Sequence, residues 1–235
     1  CSVALSDFWS LHYNPAGFAT RKDLSIGISY GNRFLLKELS NKEAGILLPI
    51  NIGTIGISFS QFGYEHYNEN LFGLGLSRSF GQNLRIGLKL YYMSIRFSEE
   101  YENRSVPTFD LGIQYQINKS LCLGAYIFNP INVRIGSLNK DKVPIIMRIG
   151  FAYHIVDEFM ICGEIEENFD DDFSFRFGLE YEAYKNVFVR SGFQLMPCLF
   201  TFGIGYDYKR FVVDVAAKMN QDLGVSMSCS MIFKM

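Results

Sequence analysis

The stretch 84-LRIGLKLYYMSIRF-97 decides the fold, because apolar side chains alternate with small or polar ones along its whole length. One face of an extended chain would carry Leu84, Ile86, Leu88, Leu90 and Tyr92, and the other would carry Arg85, Gly87, Lys89, Tyr91 and Met93. Successive side chains of a β-strand point to opposite faces. The period of two therefore predicts a strand with one apolar face and one face of mixed polarity.

The same alternation recurs in segment after segment from Leu24 onward. Fourteen segments show it, at approximately 24–31, 43–50, 54–63, 70–80, 84–97, 107–117, 121–129, 143–155, 159–167, 172–184, 187–195, 199–208, 211–218 and 223–234. Everything after Asp23 is thus predicted to be strand or connection, and the chain to be all-β.

The predicted connections alternate between short and long. The short ones are Asn51–Gly53, Gly81–Asn83, Asn118–Ser120, Val156–Glu158, Lys185-Asn186 and Lys209-Arg210, and the notably long ones are 32–42, 64–69, 98–106 and 130–142. Short periplasmic turns alternating with longer external loops are typical of an up-and-down membrane barrel. We therefore expect a 14-stranded antiparallel up-and-down transmembrane β-barrel in a bacterial outer membrane, with both termini on the periplasmic side. Residues 1–235 would form one domain, with the barrel at 23–235.

Composition argues against several other classes of protein. The 235 residues carry a formal net charge of −2, which gives no reason to expect nucleic acid binding. No apolar run approaches the roughly 20 residues that a membrane-spanning helix requires. Cysteines stand at positions 1, 122, 162, 198 and 229, without CxxC or Cys/His spacing, so no metal site is predicted. Cys1 leaves two interpretations open, an acylated lipoprotein cysteine or an ordinary unpaired thiol.

The N-terminal stretch 2-SVALSDFWSLHYNPAGFA-19 reads differently from the rest. Ser6 and Asp7 are candidate N-cap residues for a short helix. Asn14-Pro15 cannot continue a helix, and Ala16-Gly17 permits a tight reversal. A lone apolar helix needs a place to bury itself, so residues 1–22 are predicted to be a short helical plug in the barrel lumen. Its named plug residues are Trp9, Asn14, Pro15 and Gly17.

The face opposite the apolar one is rich in glycine. The glycines assigned to this inward register are 27, 45, 56, 73, 75, 87, 112, 124, 150, 178, 192, 203, 205 and 224. Because glycine weakens a strand, a set of this size needs a physical reason. Two reasons remain open: room for a plug against the wall, and relief of curvature in a tightly rolled sheet.

The inward register also carries charges of both signs. Its cations include Arg85, Lys89, Arg148, Arg176, Arg190 and Lys218, and its anions include Asp110, Glu164, Glu166, Glu180, Glu182, Asp207 and Asp214. Charges removed from bulk water must pair, because desolvation is costly. We expect a cross-strand ion-pair network that packs the lumen. A selective pore would show one dominant sign of charge.

Sequence motifs for catalysis are not found. The three histidines are His12 in the predicted plug, His66 in a predicted loop and His154 at a predicted strand end. No GxSxG motif occurs, and no glycine-rich phosphate loop opens a helix. We therefore expect neither an enzyme nor a bound cofactor.

Two elements carry a resemblance to a known family. The N-terminal SVALSD, the aromatic pair Phe8-Trp9 and the following NPAG resemble the start of FadL-type outer-membrane barrels, and in particular of their PorV/PorQ-like branch. The segment GYEHYNE at 63–69 resembles a second signature of that branch. In this family further residues precede SVALSD, and this argues against the interpretation of Cys1 as an acylated lipoprotein cysteine.

The resemblance implies two functions of different classes. PorV-like relatives are non-enzymatic subunits of secretion machines, so the chain is interpreted first as an accessory subunit of a type IX secretion-like complex or another envelope-biogenesis machine such as barrel assembly. Its partners would be outer-membrane lipid and other outer-membrane or periplasmic proteins. FadL-like relatives move small hydrophobic molecules across the outer membrane, and this is the alternative. The charged, glycine-rich inward register favours the first interpretation over an apolar conduit.

Overall fold

The structure, a computed structural model, is a closed antiparallel β-barrel of fourteen strands. It describes residues 1–97, 104–135, 141–169, 173–221 and 223–235. Each strand pairs with its neighbours in sequence, and the last strand pairs with the first to close the cylinder. The predicted 14-stranded antiparallel barrel is therefore confirmed.

The barrel strands begin and end close to the predicted limits. In chain order they are β1 Ser25–Asn32, β2 Ser40–Ile50, β3 Gly53–Tyr64, β4 Tyr67–Phe80, β5 Leu84–Phe97, β6 Arg104–Gln116, β7 Leu121–Phe128, β10 Ile146–Val156, β11 Phe159–Asn168, β12 Ser174–Tyr184, β13 Val187–Leu195, β14 Leu199–Tyr208, β15 Phe211–Asn220 and β16 Gly224–Lys234. Two short strands between β7 and β10, β8 Arg134–Ile135 and β9 Asp141–Lys142, form a separate small sheet.

The two faces of the wall differ as the alternation predicts. On β5, Leu88 and Leu90 are 43% and 56% exposed, whereas Lys89 between them is fully buried. Exposed apolar side chains continue around the outside, for example Ile149 and Ile204 at 63% and 61%. An outward apolar belt on a closed antiparallel barrel is what contact with lipid requires. The protein is therefore built as a transmembrane β-barrel, with apolar side chains outside and polar ones inside, the reverse of a soluble domain.

The connections on the external side differ in part from the sequence-based expectation. Residues 64–69 were expected to form a long loop, but β3 and β4 join through the two residues Glu65-His66. The paired strands simply continue, as Tyr64 faces Tyr67. Residues 98–103 of the expected loop 98–106 lie outside the described residues. Gly224, assigned to the inward wall, instead has a positive φ of 94° beside the β15–β16 turn.

Two of the external connections fold against the barrel mouth. Between β1 and β2, the backbone N–H of Phe34 donates to the inward-facing Ser226 Oγ at 3.1 Å, and the Arg33 guanidinium lies 4.9 Å from the Phe62 ring centre. Between β7 and β10, the fully buried Asn129 accepts a hydrogen bond from Thr108 of β6 at 2.9 Å and donates to the Val143 carbonyl at 2.7 Å.

Residues 1–20, hereafter the lumen segment, run inside the barrel. They contain one α-helical turn, α1 Ser10–Tyr13, and a 3₁₀ helix at Pro15–Thr20. The α-helix ends before Asn14-Pro15 as expected, and Ala16-Gly17, which would permit a tight reversal, instead belong to the 3₁₀ helix. Proline is favoured at the first position of a helix, and Pro15 begins the second one. Among the residues that the structure describes, no helix is long and apolar enough to cross a membrane.

Candidate functional site in the barrel lumen

Inward glycines form the surface on which the lumen segment lies. A Cβ added at any of seven of them would collide with this segment, namely at Gly27, Gly45, Gly56, Gly87, Gly112, Gly124 and Gly150. At Gly45, for instance, it would lie 2.6 Å from Leu11, and at Gly150 it would lie 2.8 Å from Val3. The glycines on β1 to β3, β5 to β7 and β10 therefore provide room for the segment. At Gly73, by contrast, an added Cβ would collide with the side chain of Lys89.

The beginning of the lumen segment is held by one carboxylate and one amide. Glu164 of β11, which is 3% exposed, accepts hydrogen bonds from the backbone N–H groups of Ser2 at 2.7 Å and Val3 at 2.8 Å. Gln114 of β6 donates to the carbonyls of Val3 at 3.1 Å and Leu5 at 2.7 Å. These bonds satisfy buried backbone groups that have no helix or sheet partner.

Asn14 and Arg85 hold the segment further along. Asn14 is fully buried, caps the 3₁₀ helix by accepting from Ala16 N–H at 3.1 Å, and donates to the carbonyl of Val3. Arg85 donates to Ser6 Oγ at 2.6 Å and to the Gln114 side-chain oxygen at 3.2 Å. Arg85 was predicted to belong to the ion-pair network. It has no carboxylate within ion-pair distance among the described residues, because its side chain binds the lumen segment instead.

Lys89 and Asp110 lie opposite each other on β5 and β6, but each has other hydrogen-bond partners. The Lys89 ammonium donates to the Leu11 carbonyl and lies 4.5 Å from the Tyr91 ring centre. Asp110 accepts from the hydroxyls of Tyr91 at 2.7 Å and Tyr126 at 3.1 Å. Both residues were expected in the ion-pair network, but the lysine instead binds the lumen segment and the carboxylate is held by two tyrosines.

Most of the other predicted charges form ion pairs between strands of the wall, but among the described residues Glu182 and Lys218 have none, and Glu182 instead accepts from the Asn186 N–H at 2.8 Å. Arg176 bridges Glu164 at 2.9 Å and Glu166 at 2.5 Å, and Arg148 also pairs with Glu166. Arg190 pairs with Glu180 at 2.5 Å and with Asp214. These pairs join β10, β11 and β12 in one group, and β12, β13 and β15 in another.

Several lumen residues were not predicted. They are Lys234, which pairs with the predicted Asp207 at 2.7 Å, and Gln114, Tyr91 and Tyr126, which complete the hydrogen-bond networks. The signal for them was present, because the period of two places all four on the inward register. The three uncharged side chains were missed because only charged residues were considered as lumen partners, and Lys234 was not among the charged residues named.

The predicted plug residues all lie in the lumen segment but have different surroundings. Asn14, Pro15 and Gly17 are buried, and the Gly17 Cα faces Leu5 and Ser10 of the same segment. Trp9 packs edge-on against Phe8, with ring centres 5.1 Å apart, and lines the open part of the lumen.

The surroundings of His12, in the lumen segment, shift its pKa strongly. Its ring lies 5.8 Å from that of Trp9. Burial, together with the nearby positive charge of Lys89, lowers the pKa of His12 from 6.5 to about 3. Both influences disfavour the imidazolium form, so His12 is neutral over the physiological pH range.

A cavity of about 590 Å³ remains beside the lumen segment. It lies between this segment and the wall of β11 to β16, with β1 and β2 at its edge. Apolar side chains that line it include Phe8, Trp9, Phe188, Val212 and Ile232, and charged ones include Asp7, Arg21, Glu180, Arg190 and Asp214. The lumen is therefore divided into a half filled by residues 1–20 and a half that holds an amphipathic cavity.

Solved structures with the same fold include a hydrocarbon channel, a toluene transporter and a FadL homologue. The CymD monoaromatic hydrocarbon channel is 11% identical, with a TM-score of 0.71 over 100% of this chain and 95% of CymD. The Pseudomonas putida toluene transporter TodX is 10% identical, with a TM-score of 0.70 and coverages of 99% and 95%. A Pseudomonas aeruginosa FadL homologue is 11% identical, with a TM-score of 0.68 and coverages of 99% and 94%.

The chain therefore has the fold of the FadL-type outer-membrane barrels. At this level of identity the likeness concerns the fold alone. Comparison with protein-family models gives no match, and comparison with curated proteins gives none.

Proposed function

We propose that this barrel takes up small hydrophobic molecules and moves them across the outer membrane. The observation that carries the proposal is the cavity of about 590 Å³ beside the lumen segment. Small-molecule sites have volumes of roughly 300–1,000 Å³ and combine an apolar lining with few polar groups. The hydrocarbon channels with the same fold support this class of substrate over an ionic one.

The charges around the cavity are compatible with an apolar occupant because several neutralise one another. Arg190 is paired with both Glu180 and Asp214, and Lys234 is paired with Asp207. Paired groups present less field to a ligand than a ring of one sign would. Phe8 and Trp9 add aromatic side chains to the lining of the cavity. The substrate would therefore be a small ring or a short chain. No step of catalysis is part of the proposal.

The single tryptophan of the chain gives a direct test of cavity occupancy. Purified barrel in mild detergent is titrated with toluene, and the emission of Trp9 is followed. We expect a saturable change in emission. Gly203→Leu should weaken it at least several-fold, because Gly203 lines the cavity and a Cβ there meets nothing closer than 3.5 Å.

The matched control is Ala217→Leu, on the outward register opposite Phe202. It adds similar volume on the lipid side and should leave the titration unchanged. Proteoliposomes loaded with the wild-type barrel should take up radiolabelled toluene faster than empty ones. A titration with no saturable signal, or one equal in wild type and Gly203→Leu, would remove the basis for the proposal.

A second candidate function is an accessory subunit of an outer-membrane protein complex, as in the PorV/PorQ-like branch. The observation that favours it is the shortness of several external connections: Glu65-His66 joins β3 to β4, and residues 196–198 join β13 to β14. Such connections build no tall capture vestibule above these strands. Gentle detergent extraction and size analysis distinguish the two: co-purifying large outer-membrane proteins support the subunit, and a lone barrel with bound hydrophobic ligand supports the transporter.

A further inference from the structure

Three of the five cysteines lie at one place on the inner wall. Cys122 and Cys162 belong to a buried cluster with Val3 and Ala4, and Cys1 packs against this cluster. The other two lie elsewhere: Cys198 is in the β13–β14 connection, and Cys229 is exposed on β16.

The sulfur atoms of Cys1 and Cys162 both lie near Gly178. Gly178 of β12 is the direct cross-strand partner of Cys162. A Cβ at position 178 would lie 2.7 Å from the Cys162 Sγ and 3.7 Å from the Cys1 Sγ. The Cys162 thiol therefore occupies the space that a larger residue at 178 would fill, and the Cys1 thiol lies at the edge of that space.

The backbone next to Cys1 is fixed to the strand that bears Cys162. Glu164, two residues beyond Cys162 on β11, accepts from Ser2 and Val3 N–H at 2.7 and 2.8 Å. The Cys1 thiol itself donates to the Arg176 carbonyl at 3.2 Å. These bonds hold Cys1 beside the strand that bears Cys162, so rotation of the Cys1 side chain changes the distance between the two sulfur atoms.

Cys122 is in a different position. It pairs with Ala152 across β7 and β10, while Cys162 pairs with the same Ala152 across β10 and β11. Two strand spacings separate Cys122 from Cys162, or roughly 9–10 Å. A disulfide needs Cβ atoms about 3.5–4.5 Å apart, so these two cannot be joined.

We propose that Cys1 and Cys162 form a disulfide that fastens the lumen segment to β11. The bond would form by thiol–disulfide exchange with a protein or low-molecular-weight disulfide, as the oxidising periplasm provides. The two thiols lose two protons and two electrons as the S–S bond forms, and the donor disulfide is reduced to two thiols. This inference stands apart from transport, because it concerns only how residues 1–20 are held.

The test uses the full chain, folded in mild detergent and incubated with oxidised glutathione or with dithiothreitol. Remaining thiols are alkylated after denaturation, and the digest is examined by mass spectrometry. We expect a peptide pair linked through Cys1 and Cys162 in the oxidised sample and two alkylated cysteines in the reduced one. Amide hydrogen exchange at Val3 should also be several-fold slower in the oxidised protein.

Variants identify the partner. Cys122→Ser should retain the linked peptide pair, whereas Cys162→Ser should leave Cys1 free to be alkylated. The comparison of oxidised and reduced wild type decides the matter even if Cys162→Ser fails to fold. Three results would overturn the proposal: Cys1 and Cys162 both alkylated after oxidation, Cys1 linked to Cys122, or Cys1 carrying glutathione while Cys162 stays a thiol.

Discussion

Gly112 of β6 lies so close to Asn14 of the lumen segment that a Cβ on Gly112 would overlap the Asn14 Oδ1 atom. That oxygen caps the 3₁₀ helix through Ala16 N–H, and the Asn14 Nδ2 donates to Val3 and, at 3.4 Å, to the wall at Ala125. The absence of a side chain at Gly112 thus makes room for the capping residue Asn14.

Replacement of Gly112 by alanine should destabilise the protein. The added methyl group would push Asn14 away from Ala16 and Val3, and overpacking of this kind costs roughly 1–3 kcal/mol. Gly203→Ala is the matched control, since its Cβ would meet nothing closer than 3.5 Å. Thermal unfolding in detergent, followed by circular dichroism, should show a lower midpoint for Gly112→Ala alone. Equal midpoints would mean that the segment shifts freely.

Glu164→Gln should loosen the start of the lumen segment. The carboxylate accepts from Ser2 and Val3 and pairs with Arg176, and hydrogen bonds to a charged group contribute roughly 1.5–3 kcal/mol. Arg176 keeps Glu166 as a partner, so the wall itself should stay folded. Hydrogen exchange at Val3 should rise markedly. Glu167→Gln, on the outward register of the same strand, should not change it.

Loss of either tyrosine hydroxyl at Asp110 should be costly. Asp110 is 1% exposed, and Tyr91 and Tyr126 both donate to its Oδ2. Tyr91→Phe and Tyr126→Phe each leave a buried carboxylate with one donor fewer, at a cost of about 1–3 kcal/mol. The control is Tyr92→Phe, whose hydroxyl bonds Ser105 on the outside. A free energy of unfolding equally reduced in all three would contradict the assignment.

His12 should make the folded protein less stable in acid. Its pKa is about 3 when folded, against roughly 6.5 in an unfolded chain. Below about pH 6.5 the unfolded state therefore binds more protons, and stability falls as the pH falls from there towards 3. The contribution at about pH 5, relative to pH 8, is at most about 2 kcal/mol.

The measurement for His12 is urea unfolding at these two pH values in wild type and in His12→Gln. Glutamine is neutral throughout, so the variant should lose less stability on acidification. In addition, Trp9 emission in the folded wild type should stay constant across this range, because the neighbouring imidazole does not titrate. A step in emission near neutral pH, or identical acid sensitivity of the two proteins, would show that His12 becomes protonated in the barrel.

Strand positions were predictable because alternation is a local property. The segment 84–97 was assigned correctly at both ends, and 187–195 and 199–208 were as well. A barrel wall has water or protein on one side and lipid on the other. The polarity of each side chain therefore indicates which face it occupies. The error at 64–69 arose because polar residues such as Glu65 and Asn68 suggest a loop, while strand pairing continues beyond the apolar belt.

Charge partners were less predictable because they depend on which strands and which inner residues meet. Arg190 and Glu180 could be matched as neighbours across a hairpin, and they are directly opposite in the structure. For Arg85 and Lys89 the competing partner is the lumen segment, nearly eighty residues away in sequence. No local pattern encodes that contact.

By itself, the sequence determined that the chain is an antiparallel barrel with an apolar exterior, because the period of two fixes which side chains face lipid. It also determined that the inner wall is rich in glycine. Only the tertiary structure decided why: seven of those glycines lie beneath residues 1–20, and the opposite half of the lumen keeps a cavity. Packing between distant segments depends on the closed shape of the barrel, which no single stretch of sequence contains.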